Sequence, residues 1–118
     1  MNGFVINVEE AARENDFFRK VLYTAKNSQL VLMSLFPGEE IGEEVHELDQ
    51  FIRVEVVVGK AVLNGKESPL MDGSAVVVPA GLRHNIVNTG GEPMKLYTVY
   101  SPPEHKAGTI HKTRQDAL

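Results

Sequence analysis

A chain of 118 residues with 42% hydrophobic and 24% charged side chains has the balance of one globular domain, not of a disordered or collagen-like polymer. It has no cysteine, which excludes disulfide frameworks, thiolate zinc sites and cysteine nucleophiles and leaves its four histidines as the borderline-soft metal ligands. A formal net charge of −4 opposes a broad phosphate-binding surface, and no apolar run reaches the ~20 residues of a membrane span, so the expected partner is a small molecule, with no nucleic acid and no membrane.

The start, Met1-Asn2-Gly3-Phe4-Val5-Ile6-Asn7, has no basic stretch followed by a long apolar one, so the expected compartment is the cytoplasm. Asn7 is placed to cap a brief helix, with Glu9 and Glu10 on the favourable end of its dipole, running one or two turns through Ala12. The following apolar blocks are short and rich in β-branched residues: Val21-Leu22-Tyr23, then residues 30–36, 51–58, 61–63, 75–78 and 96–100. Each has strand length. Turn residues separate them, among them Pro37-Gly38, Asp72-Gly73 and Pro79-Ala80-Gly81. Asn64-Gly65 is the signal of a two-residue type I′ hairpin joining 61–63 to 66–68. Many short strands with regular turns predict an all-β sandwich or barrel. The tail from Ser101 is Pro-rich and then polar, and reads as an arm laid across the barrel or as loose chain.

Two segments carry chemistry. The second in the chain reads Gly73, Pro79, Gly81, His84 and Asn88, with turns at Asp72-Gly73 and Pro79–Gly81 that aim His84 from the beginning of a returning strand. The first starts at Gly38 and places Glu44 and His46 two positions apart, on one face of a strand, with Gln50 four residues later; Asp49 beside Gln50 points elsewhere. The spacing of both segments resembles the two motifs of the cupin superfamily. The second motif matches at every fixed position. In the first, Glu44 stands where the family usually has histidine, Gln50 where it usually has glutamate, and Val57 where it has glycine. The wording of residues 19–24, 42–46, 49–51 and 100–103 is also similar to small bacterial cupins described as sugar-phosphate or mannose-6-phosphate isomerase-like proteins.

The resemblance implies a double-stranded β-helix, that is a jelly-roll barrel, with a short N-terminal helical turn. It implies a single domain over 1–118, with its motif core at 38–88 and its tail at 101–118. It also implies a homodimer paired through an N-terminal strand or the outer sheet face. It implies a divalent metal, Fe, Mn, Ni, Co or Zn, held by Glu44, His46, Gln50 and His84 among apolar walls from Ile52, Val54, Val76, Val78 and Ile86. The expected function is metal-dependent chemistry on a small polar or sugar-like molecule, of dioxygenase or isomerase type. In the competing reading the four polar side chains satisfy one another around water, and the barrel is a sugar-binding module without metal or catalysis.

Other residues read more plainly. His105 and His111 are expected to be solvated, the alternative being that they or Glu104 close over the site. Arg53 and Glu55 fall on the face opposite Gln50 and suggest an ion pair at the surface or a subunit contact. Arg83 faces away from His84, so neither arginine of the motif core suits a phosphate held in the cavity. Tyr97 and Tyr100 have opposite strand parities, and core packing is expected for both. The three consecutive valines at 56–58 resist a turn, which predicts a longer strand from Phe51 to Val58 and a tendency to associate edge to edge.

Overall fold

The β-branched blocks do form strands, and the turn residues join them. The computed structural model describes residues 2–56 and 58–118. In chain order these form α1 (Val8–Glu14), β1 (Arg19–Thr24), β2 (Gln29–Leu35), β3 (Asp49–Val56), β4 (Gly59–Leu63), β5 (Lys66–Leu70), β6 (Ala75–Val78), β7 (His84–Asn88), β8 (Met94–Ser101) and β9 (Ile110–His111), with a last 3-10 turn at Gln115–Ala117. None of the helices described is long and apolar enough to cross a membrane.

The strands make two antiparallel sheets, one ordered β6-β3-β8-β2-β1-β9 and the other β5-β4-β7, which is the all-β jelly roll the motifs imply. Register decides what lies inside. Gln29 pairs with Tyr100, Tyr100 with Gln50 and Gln50 with Val78, so these four side chains share one inward row. The next row is Val31, Thr98, Ile52 and Val76, and below it Met33, Leu96 and Val54. Polar groups therefore gather at one end of the barrel while the rest is apolar. Val31, Met33, Ile52, Val54, Ile86 and Leu96 are all at 0% exposure. At about 25 cal/mol per Å² of apolar surface, burial of this kind is the main drive to fold.

Asn7 caps α1, its Oδ1 accepting from the Glu10 N–H at 3.1 Å, and the helix continues two residues past Ala12 to Glu14. It packs on the outer face of the larger sheet, against β2, β3 and β8. That corrects the expectation for Arg53 and Glu55. Glu55 is 3% exposed because the chain's own helix covers it, with Arg53 Nε at 3.5 Å and Arg13 at 3.8 Å.

The Asn64-Gly65 turn is as expected, with both residues at positive φ (50° and 82°) between β4 and β5. The long strand expected through Val58 is not formed: β3 ends at Val56 and Val58 is outside any strand, while Val57 lies outside the described residues. A bulge between Val54 and Val56 shifts the register of the pairing with β8, and Val54 and Glu55 are both buried there.

The tail is an arm, not loose chain. His111 pairs with Arg19 and Ile110 with Lys20, adding β9 to the edge of β1. The Val21 N–H donates to Thr109 O at 2.9 Å, and Arg114 Nε donates to Glu40 O at 2.7 Å, so the arm runs from the large sheet to the segment that extends the small one.

Candidate metal centre

Glu44 and His84 exchange both backbone hydrogen bonds, each at 2.9 Å, which puts their side chains on one face. His46 follows on that face two residues later. One ligand atom from each of Glu44, His46 and His84 lies within 4.8 Å of the others. His46 Nε2 is 3.5 Å from Glu44 Oε1, and the two imidazole rings are 5.1 Å apart between centroids.

The ring nitrogens are not equivalent. His84 Nδ1 is 2.9 Å from Leu82 O, and since a carbonyl only accepts, Nδ1 carries the proton and Nε2 the lone pair. His46 Nδ1 faces the Glu104 carboxylate at 3.1 Å, which orders that ring the same way. Both Nε2 atoms are buried and have no hydrogen-bond partner. Gln50 adds to the pattern: it is 3% exposed, its Nε2 donates to Thr98 Oγ1 at 3.0 Å, and its Oε1 is buried and unpartnered. Asp49 points away, as expected, and accepts from the Ala80 N–H at 2.9 Å. The three clustered donors are thus two imidazole nitrogens without a hydrogen-bond partner and a carboxylate, and the Gln50 amide oxygen is a further buried acceptor left unpaired. This chemistry fits a divalent first-row metal.

The tail corrects a second expectation. His105 and His111 are half-buried, not solvated. The His105 N–H donates to Gln29 Oε1 at 3.0 Å and its carbonyl accepts from Gln29 Nε2 at 2.6 Å, so one buried amide clamps the tail at that residue. Its ring meets Tyr100 edge-on at 5.2 Å, and Tyr100 meets His46 in the same manner at 5.9 Å. Burial, then the charges of Arg19, His111 and His46, push His105 down to about 4, so it is neutral at pH 7. Tyr100 is 1% exposed, and burial raises its hydroxyl well above the ordinary phenol value in spite of the Arg19 charge nearby. It remains a phenol.

Arg83 lies outside, 3.4 Å from Glu43 with both side chains more than 60% exposed, as its parity implied. The arginine that does enter the barrel is one that sequence reasoning missed. Arg19 is 7% exposed on the core side of β1, in step with Val21. The signal was there: a charged residue at the apolar parity of a strand.

Comparison with known proteins bears on the fold. Residues 31–100 match the family model described as Cupin domain. The chain is 47% identical over 123 residues to the uncharacterized protein YrkC of Bacillus subtilis, covering 98% of this chain and 66% of YrkC. It is 42% identical over 118 residues to an uncharacterized protein of Acanthamoeba polyphaga mimivirus, covering 94% and 72% respectively. It therefore spans about two thirds of the length of the curated relatives it matches. The crystal structure of BH2720 from Bacillus halodurans superposes with a TM-score of 0.96 at 41% identity, over 98% of this chain and 93% of that one. With the jelly-roll barrel, both motif segments and these matches in agreement, the chain belongs to the cupin family.

Proposed function

We propose that this chain is a metal-binding cupin that acts on a small polar molecule at the end of its barrel, with His46 and His84 as the nitrogen ligands, Glu44 as the charged ligand and Gln50 Oε1 as the neutral one. The observation that carries this reading is the pair of buried, unpartnered Nε2 atoms, each on a ring whose other nitrogen is held by an acceptor. Leaving such groups unpaired costs ~1–3 kcal/mol apiece, which a ligand at that point recovers. A divalent metal bound there supplies Lewis acidity toward an oxygen of the substrate.

The chain's own residues shape the rest. Tyr100, held protonated by burial, is a hydroxyl donor beside His46. Thr98 orients the Gln50 amide so that its oxygen is the free end. The Gln29 clamp holds the tail at His105, next to the Glu104 that faces His46. A homodimer belongs to the same proposal, supported by apolar side chains left outside: Val5 at 98% exposure on the N-terminal arm and Val77 at 65% on the edge strand β6.

The experiment is elemental analysis of protein purified without an affinity tag, beside His84→Ala. About one metal per chain, lost in the variant, is the expected result. No metal after incubation with Fe(II), Mn(II), Ni(II) and Zn(II) would overturn the reading in favour of a metal-free binding barrel.

A further inference from the structure

Arg19 is the buried charge that the metal set leaves unexplained. A guanidinium out of water is ordinarily matched by a carboxylate, because an unpaired buried charge costs several kcal/mol. Arg19 is 7% exposed, and among the described residues no carboxylate pairs with it. Its hydrogen bond runs from NH1 to His111 Nδ1 at 3.0 Å; an arginine only donates, so His111 presents a lone pair and no negative charge. Its plane is set by Phe18, whose ring centroid lies 5.2 Å from Cζ. The Nε–H is buried and has no partner.

The tail that reaches Arg19 carries a second unpaired polar group. His105 Nε2 is also buried and unpartnered, and the His105 ring stands against Tyr100, which stands against His46. Arg19 has the inward parity of Val21 on β1, and His111, its pairing partner, belongs to the same tail as His105. The two carboxylates beside the histidines, Glu44 and Glu104, both lie at His46 and not at Arg19. A divalent cation at the histidines would balance those two carboxylates and leave Arg19 still one negative charge short.

We propose that Arg19 holds the carboxylate of a small organic acid on the inward side of β1, and that the remainder of the acid extends toward Tyr100 and the cluster of Glu44, His46 and His84. The free Nε edge of a guanidinium whose NH1 is already engaged matches the two oxygens of a planar carboxylate. The position of the acid relative to a metal rests on the reading above. The carboxylate site itself does not.

The test is a titration of the metal-free, full-length, ¹⁵N-labelled chain with acetate and oxalate, and separately with the neutral amides acetamide and oxamide, following the Arg19 Nε–H resonance. A saturable shift with the acids, absent with the amides, is expected, together with at least a tenfold weaker oxalate affinity in Arg19→Gln. An Arg19 resonance that stays in place with the acids, or moves equally with the amides, overturns the proposal. If Arg19→Gln does not fold, the titration of the unaltered chain decides alone. A shift in a protein that takes up no metal upholds the carboxylate site and sinks the metal reading; metal uptake without the shift does the reverse.

Discussion

His46 Nδ1 stands 3.1 Å from a carboxylate oxygen of Glu104, so a ring presented by one cupin motif is held from behind by a residue of the C-terminal tail. Such a contact fixes the tautomer and raises the basicity of the opposite nitrogen. Glu104→Ala is expected to weaken metal binding by ~10–100-fold in a competition titration with a chelator of known affinity. Glu104→Gln, which keeps an acceptor, should recover most of it. Equal affinity in all three proteins would show that Glu104 is a bystander.

The clamp at Gln29 makes a different prediction. Its side chain is 1% exposed and satisfies both backbone groups of His105 as well as Thr24 Oγ1, its amide nitrogen at 2.9 Å from that hydroxyl. In Gln29→Leu these groups lose their partner at ~1–3 kcal/mol each where they stay buried. The expected result is release of the tail, read as faster hydrogen exchange at the His105 and Thr109 amides with β7 unchanged. Protection unaltered at His105 would mean that other contacts hold the arm.

These two contacts show where sequence reading stops. Strands, turns and the Asn7 cap were legible because each depends on local pattern: β-branched blocks, an Asn-Gly pair, an amide before two glutamates. The face shared by Glu44, His46 and His84 was legible from a spacing of two and from the turns before His84. The tail was not, because the hydrogen bonds of His105 and the Arg19–His111 pairing join residues 76 and 92 positions apart, and nothing local announces them. The cover of α1 over Glu55 is likewise a tertiary fact. Parity gave the correct face for Arg53 and Glu55, but it does not say what lies on that face.

His105 gives the pH dependence. Its folded value of about 4 lies below the 6.5 of the unfolded chain, so between those values the unfolded state binds more protons. Stability from this group is therefore complete above about pH 6.5 and falls as the pH drops through that window toward 4. Because the ring is only half-buried, the loss is smaller than the full shift would give. Urea unfolding between pH 4 and 7 should show His105→Phe less sensitive to acid than the unaltered chain. Parallel curves would assign the acid response to other groups.

The apolar floor of the barrel sets the largest stability effect. Ile86, at 0% exposure on β7 two residues from His84, packs among the core side chains of both sheets. Ile86→Ala is expected to cost ~2–5 kcal/mol in chemical denaturation. A cost below about 1 kcal/mol would mean that the floor collapses readily around the gap.

With each Nδ1 held by an acceptor, a metal at this site meets Nε2 of both His46 and His84. The most direct measurement is a histidine side-chain ¹H–¹⁵N correlation spectrum of the metal-free chain during titration with Zn(II). Coordination shifts are expected at Nε2 of His46 and His84, saturating at one equivalent, with both Nδ1 atoms still protonated and the ring nitrogens of His105 and His111 not coordinated. Zinc that coordinates His105 or His111 instead, or that leaves His46 and His84 unmoved, would contradict this placement.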